Sequence, residues 1–272
     1  MLRGRLLTKL GLVVALAAAP VAATAESGAL DKIIKAGIVR IAVPDDFPPF
    51  GDLGPDAKPQ GYDIDTAALI AEGLKVKLDL VPVASGERLR SLTDHKVDLI
   101  VSSLGKDAER EKAIDFSAVA YAPFYSAVFG PEELQVAKPE DLAGKTIAVT
   151  RGTIEDSALI TLAPTTTIIK RFDDNGDTEV AFMFKQTQLI ATGSVVAAQN
   201  LANGRLTKAM FKFVLRNSPC YVGVAKNEPD LLARVNAIIT AARNDGSLDK
   251  ISRRWLKAPL GDPEHPELAS AK

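Results

Sequence analysis

The sequence is poor in the residues that form covalent cross-links and nucleophilic or metal sites. It has one cysteine, Cys220, and two histidines, His95 and His265, among 272 residues. A lone thiol cannot form an intramolecular disulfide, and the apolar neighbours of Cys220 indicate a small buried side chain. His95 has polar neighbours and His265 lies in the C-terminal tail, so neither is placed to activate the thiol or to bind a metal. We therefore predict no catalytic residue, no cofactor and no metal site.

Long stretches of one charge are also missing. The chain has 33 Lys and Arg residues against 34 Asp and Glu residues, without a block of like charge. Such a block is typical of proteins that bind nucleic acid or a membrane surface, so we predict neither partner. The hydrophobic fraction of 47% suffices for one large α/β domain or two small ones.

The apolar run near the N-terminus is too short to span a membrane. Arg3, Arg5 and Lys9 precede it, the run covers residues 10–19, and the small residues 23–25 follow. This order is typical of a secretory signal peptide, and a membrane span would need roughly 20 apolar residues. We predict a signal peptide over residues 1–25, cleaved after Ala25, and export to the periplasm. The alternative is an uncleaved N-terminal anchor. Without a cysteine near the cleavage site, a lipid anchor is not predicted.

From residue 30 onward, short β-rich runs alternate with helical patterns, which is typical of parallel sheets flanked by helices. The predicted strands cover 38–43, 75–83, 97–101, 146–150, 165–172 and 188–192, with a β-rich stretch at 210–224. The predicted helices cover 64–74, 87–94, 108–113, 153–162, 178–186, 195–201 with Ser194 as N-cap, and 231–242. The pattern forms two α/β units without a flexible linker, so we expect the chain to cross between them through strands. Ligands of open α/β sheets bind beyond the carboxyl ends of the strands, which predicts a site in the cleft between the units.

Several short motifs, taken in order, closely resemble one family. They are VPDDFPPF at 43–50, QGYDID at 60–65, KVDLIVSSL at 96–104, ER at 109–110, DFS at 115–117, DLAGKTIAV at 141–149 and RGT at 151–153. This set resembles the polar amino-acid family of periplasmic solute-binding proteins of ABC transporters, bacterial extracellular solute-binding protein family 3. No single motif is specific, but the ordered set at this spacing is.

The resemblance implies an α/β fold of the type II periplasmic-binding-protein class, a two-lobe clamp in which a mixed or parallel sheet with flanking helices forms each lobe. The implied partners are a small-molecule ligand and an inner-membrane ABC permease, and the implied state is a monomer. Closure would be a hinge motion about two crossing strands, near Val128 and Pro219. The implied organisation is a first lobe of residues 29–128 plus 219–258, a second lobe of 129–218, and a flexible tail of 259–272.

The resemblance also places three arginines at the ligand. Arg110 occupies the position where relatives hold the ligand's α-carboxylate, and a planar guanidinium can form two parallel charge-assisted hydrogen bonds with a carboxylate. The alternative for Arg110 is a solvated helix residue paired with a neighbouring glutamate. Arg88 resembles an arginine of relatives that bind acidic amino acids, and its alternative is a surface helix residue. Arg151 is a further cation at the end of a strand. If all three face the cleft, we expect two acid groups on the ligand.

Four more positions are predicted to contact the ligand. Ser103 ends a strand, where its hydroxyl and backbone N–H can reach the cleft. Gly105 follows where relatives carry a second hydroxyl, so it leaves only backbone contact or room for a bulkier ligand. Thr153 begins a helix, where an anion meets free N–H groups and the helix dipole, and it also serves as N-cap. Phe47 matches an aromatic residue that packs over the ligand's stem in relatives, with ordinary core packing as the alternative.

One departure from the family pattern concerns the ligand's ammonium group. Relatives that bind amino acids have an aspartate where this chain has Gly193 and Ser194. A buried ammonium without a carboxylate is costly, although the Ser194 hydroxyl could accept one hydrogen bond. Either another acid such as Asp45, Asp46 or Glu155 replaces the aspartate, or the ligand has no ammonium. The sequence leaves both open and favours an acidic amino acid or a related small carboxylate.

Two other functions fit the same fold. One is a periplasmic dehydratase of prephenate-like or arogenate-like acids, which needs a positioned general acid or base beside a cationic pocket. The other is a sensor component that presents its loaded form to a partner. The favoured function is a binding protein without catalytic activity that feeds an ABC transporter by hinge closure.

Overall fold

The computed structural model describes residues 28–264 of the chain. The predicted signal peptide, His265 and the end of the predicted tail therefore lie outside the described residues. The chain first forms most of one α/β unit, here called the first lobe. Its elements are α1 (Ala29–Ala36), β1 (Ile38–Val43), β2 (Asp46–Phe47), β3 (Gly51–Leu53), β4 (Pro59–Gln60), α2 (Tyr62–Leu74), β5 (Lys77–Pro82), α3 (Arg88–Thr93), β6 (Leu99–Ile100), α4 (Ala108–Ala113) and β7 (Ile114–Phe116).

The chain then forms a second α/β unit, here called the second lobe, and returns to the first. The second lobe contains β8 (Tyr125–Gly130), β9 (Thr146–Thr150), α5 (Ile154–Leu162), β10 (Ile168–Phe172), α6 (Asn175–Met183), β11 (Leu189–Gly193), α7 (Ser194–Ala202) and β12 (Met210–Asn217). After the return come β13 (Gly223–Ala225), α8 (Pro229–Asn244) and α9 (Ser247–Trp255).

Each lobe is built on a five-stranded mixed sheet. The first sheet has the strand order β5-β1-β6-β13-β7, with β1 parallel to β5 and β6 and with β13 antiparallel to its two neighbours. The second has the order β10-β9-β11-β8-β12, with β9 parallel to β10 and β11 and with β8 antiparallel to its neighbours. A small antiparallel sheet of β2, β3 and β4, which the sequence did not predict, extends the first lobe toward the second.

The two passages between the lobes pair with each other. The chain leaves the first sheet after Phe116 and returns to it at Gly223. In between, Cys220 N–H donates to Ala122 O at 2.9 Å and Ser218 N–H donates to Phe124 O at 2.9 Å. We call this antiparallel pair, residues 120–124 with 218–222, the crossing ribbon.

The crossing ribbon bears on two of the sequence predictions. Pro219 lies within it, whereas Val128, the other predicted crossing point, lies inside β8 of the second sheet. Cys220 is fully buried in the ribbon and has no disulfide partner among the described residues, which confirms its interpretation as a small buried side chain.

Local capping explains where three helices begin. Asp107 caps α4 and Thr153 caps α5, since their side chains accept N–H groups of the first turn. Asp174 caps α6 in the same way, so this helix begins at Asn175, earlier than the predicted residue 178. The prediction that Ser194 caps α7 is wrong. Strand β11 runs through residue 193, which becomes the N-cap position, and Ser194 is the first helical residue.

Among residues 28–264, no helix combines the length and the apolar composition that a membrane span requires. In the same range, no cluster of three or more His, Cys, Asp or Glu side chains is arranged to bind a metal ion.

Candidate functional site

The candidate site lies where loops at the carboxyl ends of strands from both lobes meet. The first lobe contributes the turn 84–87 after β5 and the loop 101–107 after β6. The second contributes the turn 151–153 after β9. This is the position expected for a ligand of two facing α/β sheets.

The two lobes touch directly across the site. The N–H and side-chain amide of Asn175, at the start of α6, donate to the two carboxylate oxygens of Asp46 at 2.9 and 2.8 Å. A Cβ atom on Gly152 would lie 2.8 Å from the Cα atom of Gly86, and Gly152 has a φ of +73°. Only glycine fits this turn, for both reasons. The structure is therefore a clamp in a closed arrangement.

Arg110 joins the two lobes. Its side chain is buried on α4, and its Nη1 and Nη2 groups donate to the carbonyl oxygens of Gly105 and Gly152, each at 2.8 Å. Its Nε lies 3.4 Å from Asp107 Oδ2. Burial, followed by the charge of Arg88, lowers the pKa of Arg110 to about 10. The group remains cationic at neutral pH. The alternative of a solvated helix residue is excluded by its burial.

Arg88 is a second buried cation of the site. Its side chain is 4% exposed, and its Nη2 donates to Ser85 Oγ at 2.6 Å. Its Nε has no hydrogen-bond partner in the structure. Burial lowers the pKa of Arg88, and the nearby carboxylates of Asp63 and Asp46 oppose this shift. The alternative of a surface helix residue is again excluded, and the free Nε is available to an acceptor on a ligand.

Arg151 is not part of this buried cluster. Its side chain is 56% exposed, and its Nε pairs with Asp173 Oδ1 at 2.9 Å. The structure thus brings together two of the three arginines that the sequence assigned to the ligand.

Asp63, which the sequence analysis did not select, holds the loop after β6. It is fully buried on α2 and accepts the N–H of Ser103 at 2.7 Å and the hydroxyl of Tyr121 at 2.7 Å. Burial raises the pKa of Asp63 to about 7, against the effect of these two hydrogen bonds. The bonds fix Ser103 in its left-handed conformation, with a φ of +41°. The available signal was an acid between two apolar residues, Tyr62 and Ile64, in the first turn of α2.

Three serine hydroxyls at the site are buried without a partner. They belong to Ser102, Ser103 and Ser218, and only Ser103 was predicted. A Cβ atom on Gly105 would lie 2.1 Å from Ser218 Oγ, so the Ser218 hydroxyl occupies the space that a side chain at position 105 would take. A hydroxyl from the crossing ribbon thus lies beside Gly105, where the sequence predicted backbone contact alone or room for a bulkier ligand. Sequence reasoning could not find this pair because the two residues are remote in the chain.

The first turn of α5 contributes Thr153 and Glu155. The hydroxyl of Thr153 donates to Thr150 O at 2.8 Å and accepts the N–H of Asp156 at 3.3 Å, so it acts as the N-cap. Glu155 is 3% exposed, and its Oε1 has no hydrogen-bond partner in the structure. Burial raises the pKa of Glu155, whereas hydrogen bonding at the start of α5 and the charges of Arg110 and Arg88 oppose the shift.

An aromatic cluster closes the site on the side of the crossing ribbon. Phe47, Phe50 and Phe124 have ring centroids 5.6–6.2 Å apart. A Cβ atom on Gly193 would lie 2.6 Å from Phe124 Cζ. The Phe124 ring therefore leaves no space at position 193 for a side chain, and so none for the aspartate that the resemblance would place there. Ser194 is half-buried at the start of α7.

Comparison with known proteins identifies the family. Residues 39–258 match the sequence model of bacterial extracellular solute-binding proteins, family 3. The chain belongs to this family. Its members serve amino-acid ABC transport systems outside the cytoplasm.

Individual relatives agree with this assignment. The L-cystine-binding protein TcyJ of Escherichia coli (strain K12) is 25% identical over 237 residues, which cover 87% of this chain and 89% of that protein. A mutant of ArgBP from T. maritima has a similar structure, with a TM-score of 0.78 and 26% identity, covering 85% of this chain and 100% of that one. The cyclohexadienyl dehydratase of Pseudomonas aeruginosa is 32% identical over 93 residues, only 34% of this chain and 35% of the enzyme. The predicted fold class, a two-lobe clamp of type II, is confirmed by the structural similarity.

Proposed function

We propose that this family 3 protein is a periplasmic binding protein that captures an acidic amino acid or a closely related carboxylate and delivers it to an ABC permease. The observation that carries the proposal is the pair of buried guanidinium groups, Arg88 and Arg110, between the closed lobes. Two buried cations that are only partly compensated favour a ligand with two acid groups.

Arg110 binds one carboxylate and couples that contact to closure. Its contacts with the carbonyl groups of Gly105 and Gly152 join a loop of each lobe and orient the guanidinium. The N–H groups of the turn 151–153 are already bonded within the second lobe, so the guanidinium is the donor that a ligand carboxylate meets here. A carboxylate that contacts it stabilises the closed form over the open form. Ser102, Ser103 and Ser218 supply hydroxyl groups that have no protein partner in the structure.

Arg88 binds the second acid group. Its Nε is buried and free, and its Nη2 is held by Ser85, so the side chain is preorganised for an acceptor. The aromatic ring of Phe47 forms the apolar wall beside the aliphatic part of the ligand.

Ligand-dependent stabilisation tests this proposal. The mature chain, residues 26–272, is heated with each of the common amino acids and with succinate and glutarate, and the melting temperature is measured. We expect L-glutamate or L-aspartate to raise it most. A neutral or cationic amino acid as the tightest ligand, or no response to any compound, would contradict the proposal. Mass spectrometry of the exported protein tests the predicted cleavage after Ala25.

A second candidate is a dehydratase of prephenate-like acids. It is favoured by Glu155, a buried carboxyl group with a raised pKa next to two guanidinium groups, since such a group can donate a proton. Incubation of the mature chain with prephenate or arogenate, followed by detection of the aromatic product, distinguishes the two functions. Turnover that is lost in Glu155→Gln would establish the enzyme.

A further inference from the structure

Glu155 is a buried acid whose free oxygen faces no protein donor. Its Oε1 atom has no hydrogen-bond partner, although the residue is 3% exposed and lies in the first turn of α5 at the lobe boundary. A buried carboxylate oxygen without a partner costs stability. The cost is removed if a donor arrives with the ligand.

Other acids around the site are already engaged. Asp46 accepts two hydrogen bonds from Asn175, and Asp63 accepts those of Ser103 and Tyr121. Two more acids belong to helix ends and ion pairs. Asp107 caps α4 beside Arg110, and Asp156 pairs with Arg171 Nε at 2.7 Å.

The end of β11 cannot supply a carboxylate either. Position 193 is glycine, and the Phe124 ring fills the space into which a side chain would extend, at 2.6 and 2.7 Å from an ideal Cβ atom. Ser194 offers only a hydroxyl. Asp107 Oδ2 also has no hydrogen-bond partner, but it lies 3.4 Å from Arg110 Nε in an ion pair. Of the acids described at the cleft, Glu155 is thus the buried one whose free oxygen belongs to no ion pair.

We propose that Glu155 binds a protonated nitrogen of the ligand, and that the site thereby selects an amino diacid over the diacid without the amino group. This deepens the proposed function and rests on it. The two carboxylates of the ligand contact Arg88 and Arg110, and its ammonium contacts Glu155 Oε1. A diacid without nitrogen has the same two carboxylates but places no donor against that oxygen, so their repulsion with the Glu155 carboxylate is not offset by an ammonium in the buried site.

Calorimetric titration of the mature chain tests the proposal with two pairs of compounds: L-glutamate against glutarate, and L-aspartate against succinate. We expect the wild type to bind the better amino diacid about tenfold to a hundredfold more tightly than its deaminated analogue. This is the gain in affinity that one charge-assisted hydrogen bond provides. In Glu155→Gln this preference should fall to within about threefold, mainly through weaker binding of the amino acid. Glu179→Gln is the matched control, because Glu179 is another acid of the second lobe with a raised pKa and is bonded to Asn200. It should keep the wild-type preference.

The outcomes separate the inference from the function on which it rests. If the wild type binds glutarate or succinate as tightly as the amino acid, or if Glu155→Gln keeps the preference, the assignment of Glu155 is overturned while the binding function stands. If no amino acid and no diacid binds the wild type, both are overturned. If Glu155→Gln does not fold, Glu155→Asp is titrated instead. Its shorter side chain should lower the preference without abolishing it, and an unchanged preference would overturn the inference.

Discussion

The Nη2 group of Arg110 donates to the carbonyl oxygen of Gly152 at 2.8 Å, so a cation of the first lobe is bonded to the backbone of the second. The same guanidinium is the predicted contact of the ligand carboxylate. If the proposed function holds, ligand binding and lobe closure depend on this one side chain.

The first prediction concerns this side chain. Arg110→Ala should lower the affinity for the tightest ligand by about thirtyfold or more, because the variant loses a buried, hydrogen-bonded charge that contacts the ligand. Arg110→Lys should recover little of the affinity, because an ammonium cannot bridge two carbonyl groups and a carboxylate as a guanidinium fork can. Calorimetric titration measures both. Lys112→Ala, on the same helix but exposed, is the control and should bind as the wild type does. Equal affinity of Arg110→Ala and the control would contradict the assignment.

The second prediction concerns the close approach of Gly152 to Gly86. Gly152→Ala adds a methyl group 2.8 Å from the Cα atom of Gly86, so the closed form should be destabilised. We expect about tenfold weaker binding and, in small-angle scattering with saturating ligand, a larger radius of gyration than the wild type shows. Gly144→Ala is a matched control in the same lobe, because Gly144 has a φ of +70° and open space around it. Backbone strain alone would affect both variants equally.

The third prediction concerns the space beside Gly105, which the side chain of Ser218 occupies. Gly105→Ala should destabilise the protein by about 1–3 kcal/mol, because its Cβ atom would lie 2.1 Å from Ser218 Oγ. Ser218→Ala removes that oxygen and leaves Ile154 Cγ1 at 3.3 Å and the Ser218 Cβ atom at 3.4 Å, so only a shift of a few tenths of an ångström in the Ile154 side chain is then needed. The double variant should therefore recover most of the stability. Urea unfolding of the four proteins gives the coupling energy, and additive effects would show that the two residues do not share this space.

The fourth prediction concerns pH. Burial raises the pKa of both Asp63 and Glu179 to about 7 in the folded protein. The folded state then holds protons that the unfolded state has released, so stability should be lost as the pH rises through 7 and gained as it falls from 8 toward 5. The melting temperature of the ligand-free protein should rise by a few degrees over that range. Glu179→Gln keeps an acceptor for Asn200 and should flatten the profile in part. A melting temperature that increases from pH 6 to pH 8 would contradict the prediction.

Much of the framework followed from local sequence patterns. The bounds of β1, β9 and α4 agree with the predicted ranges, because alternation, helical spacing and capping are properties of adjacent residues. The start of α6 was misplaced because the cap at Asp174 was not recognised. The small sheet of β2, β3 and β4 was missed because its strands have only two or three residues and no measurable period.

The site was less predictable than the framework. The sequence suggested Arg88 and Arg110, but it could not show that Arg151 lies outside, paired with Asp173. The sequence also indicated that an expected acid is missing at Gly193. It could not show that the Phe124 ring fills the space that a side chain would need there. Contacts such as those of Gly193 with Phe124 and of Gly105 with Ser218 form only when the chain crosses between the lobes. Because these residues are distant in sequence, no local sequence pattern predicts the contacts.

The crossing ribbon limits how the protein can open. Its two segments are hydrogen-bonded to each other, from Cys220 to Ala122 and from Ser218 to Phe124, so neither segment can bend or rotate independently. We therefore expect the lobes to open by one rotation about the ribbon, which would widen the gap at all contacts between the lobes together. A molecule too large for the cleft holds Asp46 away from Asn175 at the same time as it holds Arg110 away from Gly152. An ill-fitting solute would therefore cost the clamp several contacts between the lobes at once.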